Sequence, residues 1–363
     1  MKLEVDPRRL KHLRTRIGIP LEVAATKAKV APGDLARWEE HAEPVEIETL
    51  RKLAKTYNRN WYVFLLEDEV GDPALPRDYR RLRGAGSDLT TATLLAFDDA
   101  EALVQKISEL PRPADEASPI GVSIAGLSPE AATIAVREAL GTDLEAQLDQ
   151  SREYDAVRFW TTQIAKTGIY VAQLSFPYEE VRAFCRERDG VRLIVVSSKD
   201  FPRGRSFSML HELGHLLLGG DAMCKPRSDG APASHPTNEE AFCNAFAAAM
   251  LMPEKQFKND PDVVAFRGRT VELGDAQKLA WKYGASELAG LRRLASVGYI
   301  SQENYARLQA ETEDAYSGRE PRSDGLRIRK QAGRMINENS RLYAAEVLDA
   351  HARGDITTPS GPL

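Results

Sequence analysis

The sequence predicts an α+β protein in which an all-α domain precedes a mainly helical domain that carries one small β-sheet. Three observations predict this class. Apolar residues recur at helical spacing through residues 1–68. Residues 168–197 contain three strand-like runs, and a hairpin turn at Arg188-Asp189-Gly190 joins the last two. An apolar helix at residues 207–219 is followed by a second apolar helix at residues 238–253.

Composition describes an ordinary soluble protein of a reducing compartment. The 363 residues, 42% hydrophobic and 28% charged, suffice for two or three domains with proper cores. The N-terminus lacks the apolar stretch of a signal peptide, and no run approaches the roughly 18 apolar residues that span a bilayer. The three cysteines, Cys185, Cys224 and Cys243, form no disulfide framework. We therefore expect a cytoplasmic protein that makes no membrane contact.

The chain divides into four segments. Residues 1–68 predict a domain of four or five short helices, because glycine and proline interrupt the helical repeats. Residues 69–120 predict a connector with one amphipathic helix. Their basic run at 77–83 is interpreted as a solvated linker, and the alternative is that it extends a nucleic-acid-binding surface. Residues 121–310 form the second domain. Residues 311–363 predict a helical tail, with a helix over residues 331–353, and the sequence assigns it no role.

The most informative segment is His211-Glu212-Leu213-Gly214-His215, which places two imidazoles one helical turn apart on an apolar helix. Residues four apart on a helix have Cβ atoms about 5–6 Å apart, so both imidazoles can reach one metal ion. A bound metal lowers the pKa of its water, and Glu212 can take that proton and pass it to a leaving amine. The motif is typical of zinc proteases. The alternative is a core helix whose histidines only form hydrogen bonds, although burying such rings without a strong partner is costly.

A third metal ligand is expected from the second apolar helix, because a catalytic zinc has three protein ligands and an open position for water. Glu240 shares one face of this helix with Asn244 and Ala247, at spacings of four and seven. Its carboxylate can therefore point into the interface with the first helix. Glu239 lies about 100° round the helix and is expected to face solvent.

Two paired patterns carry a family resemblance. The first is Arg-x-Phe-Ser-x-x-His-Glu-Leu-Gly-His-Leu-Leu-Leu at residues 205–218, and the second is Glu-x-x-Cys-Asn-x-Phe-Ala-Ala-x-x-Leu-Met-Pro at residues 240–253. Together with their flanks, over residues 150–310, they resemble the ImmA/IrrE family of metallo-endopeptidases. The resemblance implies a zincin-like peptidase domain, a Zn²⁺ cofactor with Mn²⁺ as the alternative, and Glu240 as the third ligand beside His211 and His215.

The resemblance also implies a biological role, the regulated cleavage of an XRE-type transcriptional repressor in stress response or mobile-element control. The small sheet has a use in that role, because its edge near residues 193–197 can pair with an extended substrate and present it to the metal. Cys243 departs from the family, which usually has alanine there. Its thiol would become a ligand only by closing the position that water needs.

A second resemblance lies in the N-terminal domain. The patterns Leu-Lys-x-Leu-Arg at residues 10–14 and Leu-x-x-Trp-Glu at residues 35–39 resemble the helix-turn-helix domain of XRE-type repressors. Residues 1–60 carry thirteen Lys and Arg against nine acids, which leaves a mildly basic net charge of +4. The candidates for contacts with DNA phosphates are Lys27, Lys29, Arg37 and Arg51.

Strong DNA binding is not expected from this domain. The helix that would read the bases opens with Pro32, Gly33 and Asp34, none of which is a good donor to guanine. The net charge of the whole chain is −5, so nucleic acid is not attracted globally. The alternative is a helix-turn-helix fold that serves dimerisation or the docking of a protein.

These observations predict a zinc-dependent endopeptidase that cleaves a regulatory protein and uses Glu212 as its general base. Two other functions are open. One is a non-proteolytic DNA-binding regulator with structural zinc, and the other is a phage or toxin–antitoxin accessory protein that uses the protease fold for binding. The intact Glu212 favours the enzyme, because structural zinc needs no general base. The sequence leaves a monomer and a homodimer open.

Overall fold

The computed structural model describes residues 1–57, 59, 61–65, 89–111, 122–150, 153–218, 238–267, 269–316 and 329–357. Its internal contacts divide the chain into two compact units. The N-terminal unit comprises residues 1–75 and 87–101, and the C-terminal unit comprises residues 76–86 and 102–363. The described residues are mainly helical with two small sheets, which confirms the α+β class. No helix in the described part of the chain is long and apolar enough to cross a membrane.

The N-terminal unit is built from short helices around one apolar core. Its elements are β1 (Lys2–Glu4), α1 (Pro7–Arg16), α2 (Leu21–Ala28), α3 (Pro32–Glu40), β2 (Pro44–Glu46), α4 (Ile47–Thr56), a 3₁₀ helix (Trp61–Leu65) and the first part of α5 (Thr91–Ser108). The predicted number of short helices is confirmed over the described residues. The strands β1 and β2 pair antiparallel and were not predicted, because three-residue strands leave no periodic signal.

Buried ion pairs stabilise this unit. The Arg14 guanidinium donates to both carboxylate oxygens of Glu39, at 2.6 and 2.8 Å, and to the carbonyl of Ile19. Both charged residues belong to the patterns that carry the N-terminal resemblance. Asp98 of α5 is 4% exposed and lies 2.5 Å from both Arg16 Nη2 and Arg59 Nη2. In this unit, every one of these buried charges has a partner of opposite sign.

The C-terminal unit packs its helices around a three-stranded sheet. Its elements are α6 (Pro129–Ala139), α7 (Leu144–Leu148), α8 (Glu153–Ala165), β3 (Ile169–Leu174), β4 (Ala183–Arg188), β5 (Val191–Ser197), α9 (Pro202–Leu217), α10 (Asn238–Leu251), α11 (Glu254–Asn259), α12 (Pro261–Val264), α13 (Leu273–Lys282), α14 (Glu287–Ser296), α15 (Gln302–Tyr316), α16 (Arg329–Glu338) and α17 (Arg341–Arg353). A single apolar cluster contains the buried faces of α6, α9, α10 and the sheet.

The sheet has the strand order β3–β5–β4, with β3 parallel and β4 antiparallel to β5. The predicted hairpin between β4 and β5 is confirmed. Its turn residues Asp189 and Gly190 have φ angles of 52° and 75°, as a two-residue hairpin turn of this type requires. Because β5 is paired on both sides, residues 193–197 lie in the central strand, and the expectation that they offer a free edge is wrong. Strand order follows from non-local pairing, which the local sequence pattern does not encode.

The outer edge of β3 is covered by the C-terminal helices. The backbone N–H of Val171 donates to Ser340 Oγ at 3.3 Å, and the Tyr170 hydroxyl donates to the carboxylate of Glu346 at 2.8 Å. Ser340 has a φ angle of 66° and separates α16 from α17. The single helix predicted over residues 331–353 is therefore two helices. The backbone between them bends so that the Ser340 side chain reaches the strand.

Candidate metal centre

Helix α9 carries both histidines through the middle of the domain. It begins at Pro202, which is preset for a first helical turn, and almost all of its residues are buried. It packs across β4 and β5 on one side and against α10 on another. At Gly214, an added Cβ would lie 3.1 Å from Phe246 Cδ1 and 3.2 Å from Cys243 Sγ. The glycine between Leu213 and His215 therefore permits α9 and α10 to approach closely.

Helix α10 places Glu240 in its first turn and ends before Pro253. Its last carbonyl groups, which no helical N–H can satisfy, accept hydrogen bonds from buried side chains. Arg137 donates to the carbonyl of Met250 at 2.7 Å, and Arg293 donates to that of Met252 at 2.7 Å. Burial lowers the pKa of Arg137 to about 10, so it stays charged at neutral pH. Two buried cations thus hold the negative end of the helix that carries Glu240.

The structure brings His211, His215 and Glu240 together as one group of donor atoms. The two Nε2 atoms lie 3.1 Å apart. His215 Nε2 lies 3.3 Å from Glu240 Oε1, and His211 Nε2 lies 3.4 Å from Glu240 Oε2. Tetrahedral bonds of about 2.0–2.1 Å to zinc would separate neighbouring donors by about 3.4 Å. The three side chains therefore fit a single transition-metal ion.

The charges around the three donors favour a cation. Burial by itself lowers the pKa of His215, but hydrogen bonds with Cys243 and Glu240 outweigh it and raise that pKa to about 12. Burial by itself raises the pKa of Glu240, but hydrogen bonds from His211 and His215 outweigh it and hold that pKa well below its usual range. A metal ion can replace the proton that these groups share, which makes metal affinity rise with pH.

Glu212 occupies the position next to His211 on α9 and is only 5% exposed. It is not one of the three grouped donors. Its negative charge is close enough to His215 to raise the pKa of that histidine. A buried carboxylate next to a candidate metal site, and outside the donor group, can act as a general base.

Cys243 lies on α10 with its side chain fully buried and hydrogen-bonded to His215. Burial raises the pKa of its thiol, and the hydrogen bond with His215 opposes that shift. Within the described residues, its sulfur does not join the donor group of His211, His215 and Glu240. Three donors rather than four leave an open position, as in catalytic zinc sites.

The Nδ1 atoms of the two histidines, which lie outside the donor group, have different surroundings. His215 Nδ1 lies 3.1 Å from Glu239 Oε1. His211 Nδ1 is buried, and among the described residues it has no hydrogen-bond partner; the His211 ring instead stacks on Phe207, with centroids 6.4 Å apart. Glu239 is expected to face solvent, and its side chain is 41% exposed. Its carboxylate nevertheless contacts His215 on α9. Periodicity missed this contact because it does not specify how two helices cross.

The residues proposed for DNA contact lie on or directly after α2, α3 and α4. Lys27 on α2 and Lys29, which ends α2 in a left-handed conformation, are exposed. Arg37 on α3 pairs with Asp34 and Glu43, and Arg51 on α4 pairs with Glu48. The basic run at 77–83, Cys224 and most of the predicted connector lie outside the described residues.

Three comparisons with known proteins gave one informative match, which lies in the C-terminal unit. Among curated proteins, no sequence matches the chain. One solved structure, the apo form of the competence regulator ComR from Streptococcus vestibularis, is 12% identical over 96% of this chain and 97% of its own. The TM-score of 0.17 is too low to indicate a shared fold. Residues 164–295, which include both metal helices, match the peptidase M78 family model, described as an IrrE N-terminal-like domain.

Proposed function

We propose that this chain is a metal-dependent endopeptidase that cuts a regulatory protein. The observation that carries the proposal is the triangle of His211 Nε2, His215 Nε2 and the Glu240 carboxylate, 3.1–3.4 Å on a side, next to the buried carboxylate of Glu212. The peptidase-family match over residues 164–295 supports it.

His211, His215 and Glu240 would hold the metal ion, which we assign as Zn²⁺ with Mn²⁺ as the alternative. When bound, such an ion polarises a peptide carbonyl and lowers the pKa of a water molecule. Glu212 accepts the proton of the attacking water and passes it to the leaving amine. Because Glu212 is buried, bulk water has little access to its carboxylate. Proton transfer by a side chain that is held in position raises a reaction rate about 10²–10⁴-fold.

The peptide substrate is proposed to add as a strand to β4. Of the three strands in this sheet, β5 is central and β3 is covered by Ser340 and α17, so β4 is the remaining edge among the described residues. Helix α9 packs across β4 and β5. Main-chain pairing would supply affinity there, and pockets for alternate side chains would supply specificity. A substrate with an exposed, extended segment suits this mode, and an XRE-type repressor is the proposed one.

We propose that residues 1–68 form a helix-turn-helix domain, residues 69–120 a connector, residues 121–310 the peptidase domain and residues 311–363 a helical tail. The buried Arg14–Glu39 pair and the four short helices support this assignment. Because Arg37 and Arg51 are already paired with acids, the unit suits the docking of a protein substrate better than tight DNA binding.

Cleavage tests the proposal directly. The full-length protein, supplied with Zn²⁺ or Mn²⁺, is incubated separately with casein and with helix-turn-helix repressors from its own cell, and fragments are sized by mass spectrometry. We expect one or a few discrete cuts in a repressor, and at least about 100-fold slower cleavage by Glu212→Gln, which keeps the shape but cannot act as the base. Equal rates for wild type and Glu212→Gln would overturn the mechanism. Metal binding without cleavage of any protein would favour a non-enzymatic regulator.

A further inference from the structure

Glu239 lies at the start of α10, one residue before the proposed ligand Glu240. It contacts the His215 ring of α9 at the nitrogen that does not face Glu240. Its Oε1 atom is 3.1 Å from His215 Nδ1, while His215 Nε2 faces Glu240 and His211. Each ring nitrogen of His215 thus has a carboxylate partner of its own, in addition to the hydrogen bond between the ring and the Cys243 thiol. One faces the donor group, and the other meets a carboxylate that is not in that group.

This arrangement has a chemical consequence for the imidazole. A neutral imidazole carries one proton, and a carboxylate at Nδ1 accepts a hydrogen bond only when the proton is on Nδ1. The lone pair is then on Nε2, the atom that faces the donor group. A carboxylate behind a ligating histidine also orients the ring and makes the ligating nitrogen more basic.

His211 provides the internal comparison. Among the described residues, no hydrogen-bond partner reaches its buried Nδ1 atom, and the Phe207 ring stacks on its face instead. Packing orients the His211 ring but does not select the nitrogen that carries the proton. His215 is also the more buried ligand, with a side-chain exposure of 3% against 16%. Its ring has little water available to replace the hydrogen bond from Nδ1.

We propose that Glu239 is a positioning residue that holds His215 in the tautomer and orientation needed to bind the metal. The inference rests on the proposed metal centre and deepens it. Glu239 touches neither the donor triangle nor the reacting atoms, so it acts through His215. We expect its loss to weaken metal binding about 10–100-fold, the range found for carboxylates behind ligating histidines.

The test measures metal binding by the full-length protein rather than catalysis. Co²⁺ is titrated into wild type, Glu239→Ala and Glu239→Gln against a competing chelator, and the visible absorption of the bound Co²⁺ reports the ligand geometry. Glu239→Ala should bind about 10–100-fold more weakly, with a changed spectrum. Glu239→Gln should recover most of the affinity, because its amide oxygen can still accept the hydrogen bond from Nδ1.

Glu303→Ala is the matched control, because Glu303 is also an exposed acid in the first turn of a helix, α15, and its loss removes one negative charge. It should bind Co²⁺ like wild type. Wild-type affinity and spectrum in Glu239→Ala would overturn the positioning role. Loss of metal as complete as in Glu240→Ala would make Glu239 a ligand and would also overturn it. If wild type binds no metal, or if Glu240→Ala binds like wild type, the metal centre itself fails.

Discussion

The two units of this molecule bury charged and ionisable side chains with opposite results. In the N-terminal unit, two buried carboxylates are paired with arginines: Arg14 donates to both oxygens of Glu39, and Asp98 lies between Arg16 and Arg59. In these pairs the charge of each carboxylate is compensated by a guanidinium group. Such pairs hold short helices together and position nothing else.

In the C-terminal unit, buried ionisable groups converge on one point instead of forming separate pairs of opposite charge. One ligand atom each of His211, His215 and Glu240 lies close to the other two. The buried carboxylate of Glu212 is nearby. Two imidazoles and a carboxylate around one point are the donor types that bind a transition-metal ion. Burial alone does not separate a structural carboxylate from a functional one. The sign and geometry of its partners do.

The largest expected effect is the loss of metal when a donor of the triangle is removed. His211→Ala and Glu240→Ala should each reduce the metal content from about one ion per chain to a small fraction, because two donors remain where three are needed. Elemental analysis of purified protein measures this. A metal that binds only the folded chain also stabilises it, by about 4 kcal/mol at a thousand times its Kd, so added Zn²⁺ should raise the Tm of wild type alone. Full metal content in Glu240→Ala would move the third ligand elsewhere.

The affinity for metal should also fall as the pH is lowered. The pKa of His215 is raised to about 12 by its hydrogen bonds, against the effect of burial. Its proton must therefore leave before the metal can bind, and each step down in pH makes that exchange harder. Chelator competition at pH 6, 7 and 8 should show weaker binding at the lower pH. Affinity that does not change over this range would show that no proton is displaced.

The second effect is confined to the N-terminal unit. Asp98→Ala removes the shared partner of Arg16 and Arg59 and should destabilise this unit by about 3 kcal/mol, since it leaves two half-buried guanidinium groups uncompensated. Hydrogen exchange at residues of α1 reports the local stability. Glu48→Ala breaks an exposed pair with Arg51 and should cost less than about 1 kcal/mol. Metal content should be unchanged in both variants. A lower metal content would show that the ion pairs of the N-terminal unit affect the metal centre.

A third comparison uses two helical glycines. Gly214→Ala should destabilise the C-terminal unit by about 1–3 kcal/mol, because its methyl group would meet Phe246 and Cys243 at 3.1–3.2 Å. Gly33→Ala on α3 meets nothing within 4 Å and should stabilise by about 0.5–1 kcal/mol. Denaturant titration measures both changes. Equal effects at the two sites would show that close packing of α9 on α10 is not what requires Gly214.

The smallest expected effect is on DNA. Because Arg37 and Arg51 are paired with acids, replacing either with alanine should change DNA affinity only slightly, and the full chain should bind DNA weakly at physiological salt. Fluorescence anisotropy over a series of salt concentrations measures both. Nanomolar, sequence-selective binding would show that the N-terminal unit is a specific DNA-binding domain, and it would contradict the proposed role in docking a protein.

Much of the candidate site was predictable because it depends on spacing along two helices. His211 and His215 share a helix face by their separation of four residues, and Glu240 shares a face with Asn244 and Ala247. Gly214 is also part of the motif. The reason for a glycine there, close packing against α10, is visible only in the structure. The hairpin turn was predictable too, since Asp-Gly suits the positive φ angles that a two-residue turn requires.

What the sequence by itself determined is the set of local features: helix faces, the turn, the short helices of residues 1–68, and the residue types of a metal site. The tertiary structure alone decided the contacts between distant segments. It placed β5 in the centre of the sheet, Asp98 between two arginines, and Glu239 against His215. The physical reason is that a repeat of 2 or 3.6 residues specifies which face of an element is apolar. It does not specify the neighbour that covers that face, because the neighbour is chosen by packing over the whole domain.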